Sequence, residues 1–265
     1  KEEFSLFRYL SVLPFHKDDN SWMNVSMGEG LTPIIPFSDK QRNIMLKMDY
    51  LMPTLSFKDR GAVILITKAK AMGVKKVIQD SSGNAGTSVA AYAARAGIAC
   101  DIYVPEGTSE KKIKQIAAHG ATVNIVPGSR EGTAKAALKA VNNGEGFYAS
   151  HVYNPLFYEG TKTYVYEIYE QMKSSMPDVF VIPVGNGTLL LGAYYGFLEL
   201  MEAGLLERMP KIIAVQANNC APIYNAFVKG NRQVESATNL GTKAEGIAIA
   251  DPKRGKQILE AVKQS

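Results

Sequence analysis

Short apolar or β-branched runs alternate with longer amphipathic stretches along most of the chain. The short runs predict strands, and the stretches with helical periodicity predict helices. Strands are predicted over 44–48, 76–79, 101–104, 121–126, 147–149, 179–183 and 212–216. Helices are predicted over 59–72, 85–96, 110–118, 130–141, 159–172, 189–203 and 223–229. The polar stretch 251–265 is typical of the middle of a further helix.

Regular alternation of strand and helix predicts an α/β protein with open, doubly wound and mostly parallel sheets. Helices then cover both faces of each sheet, and the crossovers are right-handed. Such sheets bind ligands beyond the carboxyl ends of their strands. The loops that follow predicted strands and precede predicted helices are therefore the places to look for chemistry.

Composition narrows the possibilities further. The 265 residues, 46% hydrophobic and 21% charged, are ordinary for a globular protein, and no apolar run is long enough to span a bilayer. The net charge of +5 is scattered, which argues against a nucleic-acid partner and suits a small anionic ligand. Two cysteines make no disulfide framework, so a reducing, cytoplasmic location is expected. The three histidines have no metal-ligand spacing, so no metal is expected.

The first candidate loop is P-T-L-S-F-K-D-R-G at 53–61, in which Lys58 stands at the start of a predicted helix. The helix dipole disfavours positive charge there, which lowers the pKa of the lysine and favours its uncharged amine. An uncharged amine is what a Schiff-base nucleophile requires. A solvated lysine beside Asp59 is the alternative that the residues leave open.

Two further loops are suited to anions. Residues 80–88, D-S-S-G-N-A-G-T-S, and 181–188, V-I-P-V-G-N-G-T, both place small residues at the start of a predicted helix. Backbone amides at a helix N-terminus bind carboxylate or phosphate. Simple helix capping by Ser81, Ser82 or Asn84 is the alternative for the first loop. The second loop lacks both the Walker lysine and the full dinucleotide fingerprint.

Together these loops resemble the pyridoxal-phosphate enzymes of the tryptophan-synthase-β type, and within them the threonine synthases. The resemblance rests on P-T-x-S-F-K-D-R-G, S-S-G-N-A and P-V-G-N-G in this order. It extends to G-E-G-L-T-P at 28–33, to N-P…E-G-x-K-T-x-x-x-E-I at 154–168 and to E-G-I-A at 245–248. Matches at this spacing over nearly the whole chain are specific.

The resemblance implies a role for each matching residue. Lys58 would bind pyridoxal phosphate as a Schiff base and then act as general acid and base. Asn84 would donate a hydrogen bond to the 3′-oxygen of the cofactor. The substrate would contact Ser81, Ser82, Asn84, Ala85, His151 and Asn154, and the cofactor phosphate would contact Gly185, Asn186, Gly187, Thr188 and Leu189. Asp59 and Arg60 are expected to be structural.

The implied activity is that of a lyase in threonine biosynthesis, which converts O-phosphohomoserine and water to threonine and phosphate. The alternatives are a threonine or serine ammonia-lyase, another β-eliminating or β-replacing relative, and a catalytically inactive binding protein. One departure bears on the substrate: the position where threonine synthases carry a phosphate-binding arginine is Phe157. Ser150, His151, Asn154 and Lys162 are the remaining candidates for the substrate phosphate.

The resemblance also implies an organisation. Residues 1–81 and 155–265 are expected to form a larger cofactor-binding domain, and 82–154 a smaller mobile domain, with the site between them. A homodimer is expected. The family's hydroxyl partner of the pyridine nitrogen lies in a stretch after E-G-I-A that has no match here, so the sequence is expected to lack the C-terminal part of a catalytic chain.

Overall fold

The computed structural model describes residues 3–265 and contains two compact units. One unit extends to Gly160, and the other comprises Thr161–Ser265. These units are continuous in the chain, unlike the predicted domains of 1–81 with 155–265 and of 82–154. The predicted assignment of 82–154 to a mobile domain stays a prediction.

The first unit opens with two 3-10 helices, Leu6–Val12 and Ser21–Asn24, and an antiparallel hairpin. The hairpin strands are β1 (Ile34–Ser38) and β2 (Gln41–Lys47). Strand β2 contains most of the predicted strand 44–48, but β1 was missed because Pro36 interrupts its apolar run. A two-stranded hairpin has only edge strands, which tolerate a proline, and the pairing shifts register just after Pro36.

The main sheet of this unit is parallel, as predicted from the alternation of elements. Its strands are β3 (Lys76–Gln79), β4 (Ala99–Pro105), β5 (Thr122–Val126) and β6 (Phe147–Tyr148), in the spatial order β5-β4-β3-β6. Its helices are α1 (Lys58–Ala71), α2 (Asn84–Ala96), α3 (Glu110–Ala117), α4 (Arg130–Asn142) and α5 (Pro155–Thr161). The carboxyl end of β3 therefore delivers the chain to the start of α2.

The core of the first unit lies around α1 and α2, which pack against each other. Its apolar side chains include Ile64, Leu65, Val89, Tyr92 and Ile102, all fully buried. Helix α1 is buried from Asp59 to Thr67, which is typical of a helix enclosed by its neighbours rather than lying at a surface.

The second unit contains a parallel strand pair, β7 (Val179–Pro183) and β8 (Lys211–Val215). Its helices are α6 (Thr163–Gln171), α7 (Thr188–Glu202), α8 (Pro222–Val228) and α9 (Gly255–Gln264). Helix α9 confirms the helix expected within 251–265, and it packs against α7, α8 and β8. Within residues 3–265, no helix combines the length and apolarity that a membrane crossing requires.

The single helix predicted over 159–172 is wrong, because the chain forms α5 and α6 with Lys162 at the junction. Helix α5 also begins earlier than predicted. Pro155 is its first residue, and the side-chain oxygen of Asn154 accepts a hydrogen bond from the amide of Leu156 at 3.1 Å. A proline at the first helical position and an asparagine before it form a favourable start that the apolar periodicity does not reveal.

A glycine sets how closely α5 can approach α1. A Cβ atom added to Gly160 would lie 1.9 Å from the carbonyl oxygen of Arg60 and 2.8 Å from the Cα of Gly61. A Cβ added to Gly61 would in turn lie 2.3 Å from the ring of Phe157. The two helices are therefore in backbone contact, and this contact places Phe157 against the first turn of α1.

We expect Gly160→Ala to lower the free energy of unfolding by about 2–3 kcal/mol or more, because the added methyl meets backbone atoms that cannot rotate away. Urea titration followed by circular dichroism measures the effect. Gly132→Ala, within α4, is the matched control, since its Cβ would meet nothing nearer than 3.8 Å. That control should raise the stability by about 0.5–1 kcal/mol. Equal stabilities of the two variants would contradict the close packing of α5 on α1.

Candidate active site

The first turn of α1 is anchored by a buried ion pair. Arg60 is fully buried, and its Nε and Nη2 atoms each donate to a carboxylate oxygen of Asp49 at 2.9 Å. The hydroxyl of Thr32 donates to the same carboxylate at 2.6 Å. Asp49 follows β2, and Thr32 belongs to the G-E-G-L-T-P motif, so three distant segments meet at this turn. Two parallel hydrogen bonds between guanidinium and carboxylate fix both position and angle.

Asp59 anchors the same turn from its other side. It is fully buried, and it accepts hydrogen bonds from the backbone amide of Thr54 at 2.7 Å and from the hydroxyls of Thr54 and Ser88. Ser88 lies on α2, so Asp59 ties α1 to α2. These contacts confirm that Asp59 and Arg60 are structural, as predicted.

Lys58 is the first residue of α1 and lies between these two anchors and a pair of aromatic rings. Its Nζ atom is 4.4 Å from the ring centroid of Phe57 and 5.8 Å from that of Phe157. Burial of the ammonium group lowers the pKa of Lys58 from 10.5 to about 7. A large fraction of this lysine is therefore uncharged at neutral pH, which a nucleophilic amine requires. The solvated lysine beside Asp59 is not what the structure contains.

The loop at the carboxyl end of β3 exposes backbone amides at the start of α2. Gly83 is the N-cap residue, and no side chain caps this helix, so Ser81, Ser82 and Asn84 do not act as simple caps. Ser81 is buried, Ser82 is half-buried, and Asn84 is exposed at the first helical position. A Cβ on Gly86 would lie 1.9 Å from the carbonyl oxygen of Ser81, so the helix lies directly on the loop. The amide of Gly83 donates to the hydroxyl of Ser81 at 3.4 Å, but no side chain caps the first turn of the helix itself. An uncapped helix N-terminus suits an anion.

His151 lies near Lys58 in the same unit. Its ring is buried, its centroid is 6.0 Å from that of Phe157, and its Nδ1 atom has no hydrogen-bond partner. Burial, followed by the positive charges of Lys58 and Arg130, lowers the pKa of His151 well below its usual value. His151 is thus a neutral ring with an unsatisfied nitrogen. Unsatisfied buried polar atoms are rare and often mark functional sites.

The other candidates for substrate contacts have structural partners. The side-chain oxygen of Asn154 is used at the start of α5, and the hydroxyl of Ser150 accepts from the amides of Val152 and Tyr153. In the second unit, Lys162 is buried and donates to Glu199 at 2.7 Å. The charge of Lys162 is therefore engaged in an ion pair.

Phe157 is fully buried, with its ring packed on Gly61 and within reach of both His151 and Lys58. An arginine cannot replace it there without bringing a guanidinium into the apolar core of the first unit. The departure from the threonine-synthase pattern is therefore a packed aromatic residue beside Lys58.

The glycine-rich loop of the second unit exposes a second helix N-terminus. Gly187 is the N-cap residue of α7 with φ of 79°, and no side chain caps this helix. A Cβ on Gly185 would lie 2.9 Å from Ile249 and 3.1 Å from the carbonyl oxygen of Gly246, so the E-G-I-A segment covers the loop. Asn186 and Leu189 are half-buried, and Thr188 is buried. A helix N-terminus without a side-chain cap is a feature that suits an anion.

The sequence analysis did not single out Arg130, a cation whose charge acts on His151 together with that of Lys58. Arg130 is the first residue of α4, and it forms an ion pair with Asp80 at 3.4 Å while also donating to the backbone carbonyl of Asp80. The hydroxyl of Tyr148 donates to the same carboxylate at 2.8 Å. A positive charge at a helix N-terminus was the signal that singled out Lys58, and it applies equally to Arg130.

The residues present fit a cofactor that carries an aldehyde and a phosphate. In the first unit, Lys58 supplies an amine with a pKa of about 7 and the start of α2 lacks a side-chain cap. The second unit by itself supplies another uncapped helix N-terminus, at α7. Within the part of the chain that the structure describes, no group of three or more His, Cys, Asp or Glu side chains could hold a metal ion.

A family model for pyridoxal-phosphate dependent enzymes matches residues 25–265. The chain belongs to this family. Its cofactor is pyridoxal phosphate, and the resemblance found in the sequence is confirmed.

Individual relatives agree with this assignment. Threonine synthases from Methanocaldococcus jannaschii and Mycobacterium bovis are each 34% identical to the chain, with 100% and 97% of this chain and 66% and 69% of theirs aligned. The chain thus spans about two thirds of the length of these relatives. A solved structure of threonine deaminase isoform 2 from Solanum lycopersicum has a TM-score of 0.73 at 24% identity, covering 96% of this chain and 71% of that one. This likeness confirms the α/β fold.

We expect Lys58 to form an imine with a small aldehyde at neutral pH faster than the other lysines, because more of its amine is uncharged. Trapping with cyanoborohydride followed by peptide mass spectrometry measures labelling at each site. The labelling rate of Lys58 should rise with pH up to about 7 and then level off, following the pKa of its amine.

Lys70, whose Nζ donates to the carbonyl of Ala96, is the internal comparison. Labelling of Lys58 that follows the same pH curve as Lys70 would argue against a buried amine.

Proposed function

We propose that the protein is a pyridoxal-phosphate-dependent lyase with threonine-synthase activity, converting O-phosphohomoserine and water to threonine and phosphate. The observation that carries the proposal is Lys58, a lysine with a pKa of about 7 at the start of α1, beside a β3–α2 loop with uncapped amides. Identity of 34% to threonine synthases over nearly the whole chain supports this substrate class.

Each part of the site has a distinct task in this proposal. When bound, pyridoxal phosphate supplies the electron sink that stabilises negative charge at the substrate carbon atoms. The amine of Lys58 would hold the cofactor, and it would hold and move protons at Cα and Cβ of the substrate. Asn84 would donate to the 3′-oxygen of the cofactor, and the backbone amides from Gly185 to Leu189 would bind its phosphate.

The substrate α-carboxylate meets the start of α2. Ser81, Ser82, Asn84 and Ala85 supply hydroxyl, amide and backbone donors there, and the helix dipole adds positive potential. His151 and Asn154 lie on the segment that precedes α5 and are proposed to contact the remainder of the substrate.

A second candidate function is a threonine or serine ammonia-lyase, and Phe157 is the observation that favours it. An apolar ring beside Lys58 suits a substrate without a phosphate, since it offers no hydrogen bond. The amine of Lys58 would then remove the proton at Cα, and the products would be a 2-oxo acid and ammonia.

We also propose a homodimer, a mobile domain over 82–154 and a cytoplasmic location. The dimer and the domain are supported by the family resemblance alone. The location is supported by Cys100 and Cys220, which are both buried thiols without a disulfide partner. Sedimentation of the purified protein tests the dimer.

Steady-state assays separate the two candidate reactions. Release of phosphate together with threonine from O-phosphohomoserine is expected, with turnover well above that for conversion of threonine to 2-oxobutyrate. The reverse ranking would replace threonine synthase by an ammonia-lyase. If the cofactor-loaded protein turned over neither substrate, the remaining interpretation would be a catalytically inactive binding protein.

Lys58→Ala should abolish both turnover and the visible absorption of the cofactor bound to lysine, because no other amine replaces it. Absorption spectra after gel filtration and far-ultraviolet circular dichroism measure cofactor retention and folding. Lys70→Ala, on the same helix, is the control and should retain both cofactor and activity. Unchanged visible absorption in Lys58→Ala would assign the attachment to a different lysine.

A further inference from the structure

Arg130 occupies a position that its own helix does not require. It begins α4, where the hydroxyl of Ser129 already caps the helix by accepting from the amide of Gly132 at 3.1 Å. A cation at a helix N-terminus is opposed by the dipole, so Arg130 does not stabilise α4 from there. Another reason must account for its position.

The contacts of Arg130 hold it at the carboxyl end of β3. Its guanidinium bonds both the backbone carbonyl and the carboxylate of Asp80, the residue directly before Ser81. Asp80 is also held by the hydroxyl of Tyr148, which comes from β6. The guanidinium is thereby placed next to the loop that opens α2.

One edge of this guanidinium is used by Asp80, and part of the group remains accessible. The side chain of Arg130 is 52% exposed, whereas that of Asp80 is 9% exposed. Arginine has five N–H donors in a planar fork, so binding one carboxylate leaves donors for a second anion. The carboxylate thus orients the arginine while leaving donors accessible.

The surroundings of Arg130 also suit an anion. Arg130 and Lys58 both act on His151 through their charges, so both cations lie within electrostatic range of the buried ring. The Nδ1 atom of His151 has no hydrogen-bond partner within the protein, although the ring is 94% buried. An unsatisfied buried nitrogen lies within electrostatic range of an arginine that itself contacts the residue before the loop of α2. This combination indicates a ligand with several oxygen atoms.

We propose that Arg130 binds the distal phosphate group of the substrate, with the buried imidazole of His151 as a second contact. The inference rests on the proposed function, since it names the part of that site which recognises phosphate. It also explains how Phe157 is tolerated: the guanidinium reaches the site from the start of α4, and the position of Phe157 is left for apolar packing.

Binding of inorganic phosphate to the cofactor-loaded enzyme tests the site without any turnover. Titration calorimetry should show that Arg130→Ala weakens phosphate binding on the order of tenfold or more, because a charge-assisted hydrogen bond is lost. Arg42→Ala, which removes an exposed arginine of β2, is the charge-matched control and should change the affinity less than twofold. Equal affinities of wild type and Arg130→Ala, or no phosphate binding by the wild type, would overturn the proposal.

A second pair of variants separates phosphate recognition from simple support of the loop. Tyr148→Phe removes a hydrogen bond to Asp80 and keeps the arginine. If the only task of Arg130 were to support Asp80, Arg130→Ala and Tyr148→Phe would impair the enzyme in the same way. We expect Arg130→Ala, but not Tyr148→Phe, to raise the KM for O-phosphohomoserine on the order of tenfold. Arg130→Lys should give a KM between those of the wild type and Arg130→Ala.

Unphosphorylated threonine is the matched substrate. Its binding should be unchanged in Arg130→Ala, as measured by the change in visible absorption on adding threonine. If Arg130→Ala weakened the binding of both substrates equally, Arg130 would only support Asp80. The same conclusion would follow if Tyr148→Phe raised the KM for O-phosphohomoserine as much as Arg130→Ala does. Phosphate binding that depends on Arg130, together with no turnover of O-phosphohomoserine, would reject the proposed function and keep the anion site.

Discussion

The geometry of the site depends on one buried ion pair, that of Arg60 with Asp49. A fully buried guanidinium is tolerated only when its charge and its donors are satisfied, and Asp49 does this with two bonds at 2.9 Å. Because Asp49 follows the β1–β2 hairpin, the pair joins that hairpin to the first turn of α1. Lys58 stands two residues before Arg60, so its position follows from the same constraint. Loss of either partner would leave an unpaired buried charge directly beside the reactive lysine.

Close contact between the backbones of α5 and α1 also positions the residues around Lys58. Gly160 and Gly61 let α5 lie on α1, which brings Phe157 to within 5.8 Å of the lysine amine. The apolar surroundings then disfavour the charged amine, and this is the physical cause of its lowered pKa. Packing that stabilises the first unit and chemistry that requires an uncharged amine therefore come from the same contacts.

The N-termini of α2 and α7 are built in the same way from different residues. Both α2 and α7 come directly after parallel strands, and both lack a side-chain cap. In each case a glycine permits close packing: Gly86 against the carbonyl of Ser81, and Gly185 against the E-G-I-A segment. The small residues in these motifs therefore permit close packing of the backbone as well as flexibility. Because no side chain caps either helix, their N-terminal amides suit anions.

Much of this arrangement could be predicted from the amino-acid sequence by itself. The alternation of elements predicted parallel α/β sheets, the position of Lys58 predicted a perturbed amine, and the motifs predicted the family. Local signals suffice for the fold class and the motifs, because strand period and glycine content are properties of short segments. The lowered pKa of Lys58 was expected from the helix dipole, whereas burial lowers it in the structure, and burial depends on the packing of distant segments. The sequence did not reveal β1, the break between α5 and α6, or the ion pair of Arg130 with Asp80. Those features depend on partners distant in the chain: the pairing of β1 with β2, the backbone of α1 beneath Gly160, and Asp80 at the end of β3. Only the tertiary structure decides which distant groups meet, because burial and pairing are properties of the folded chain.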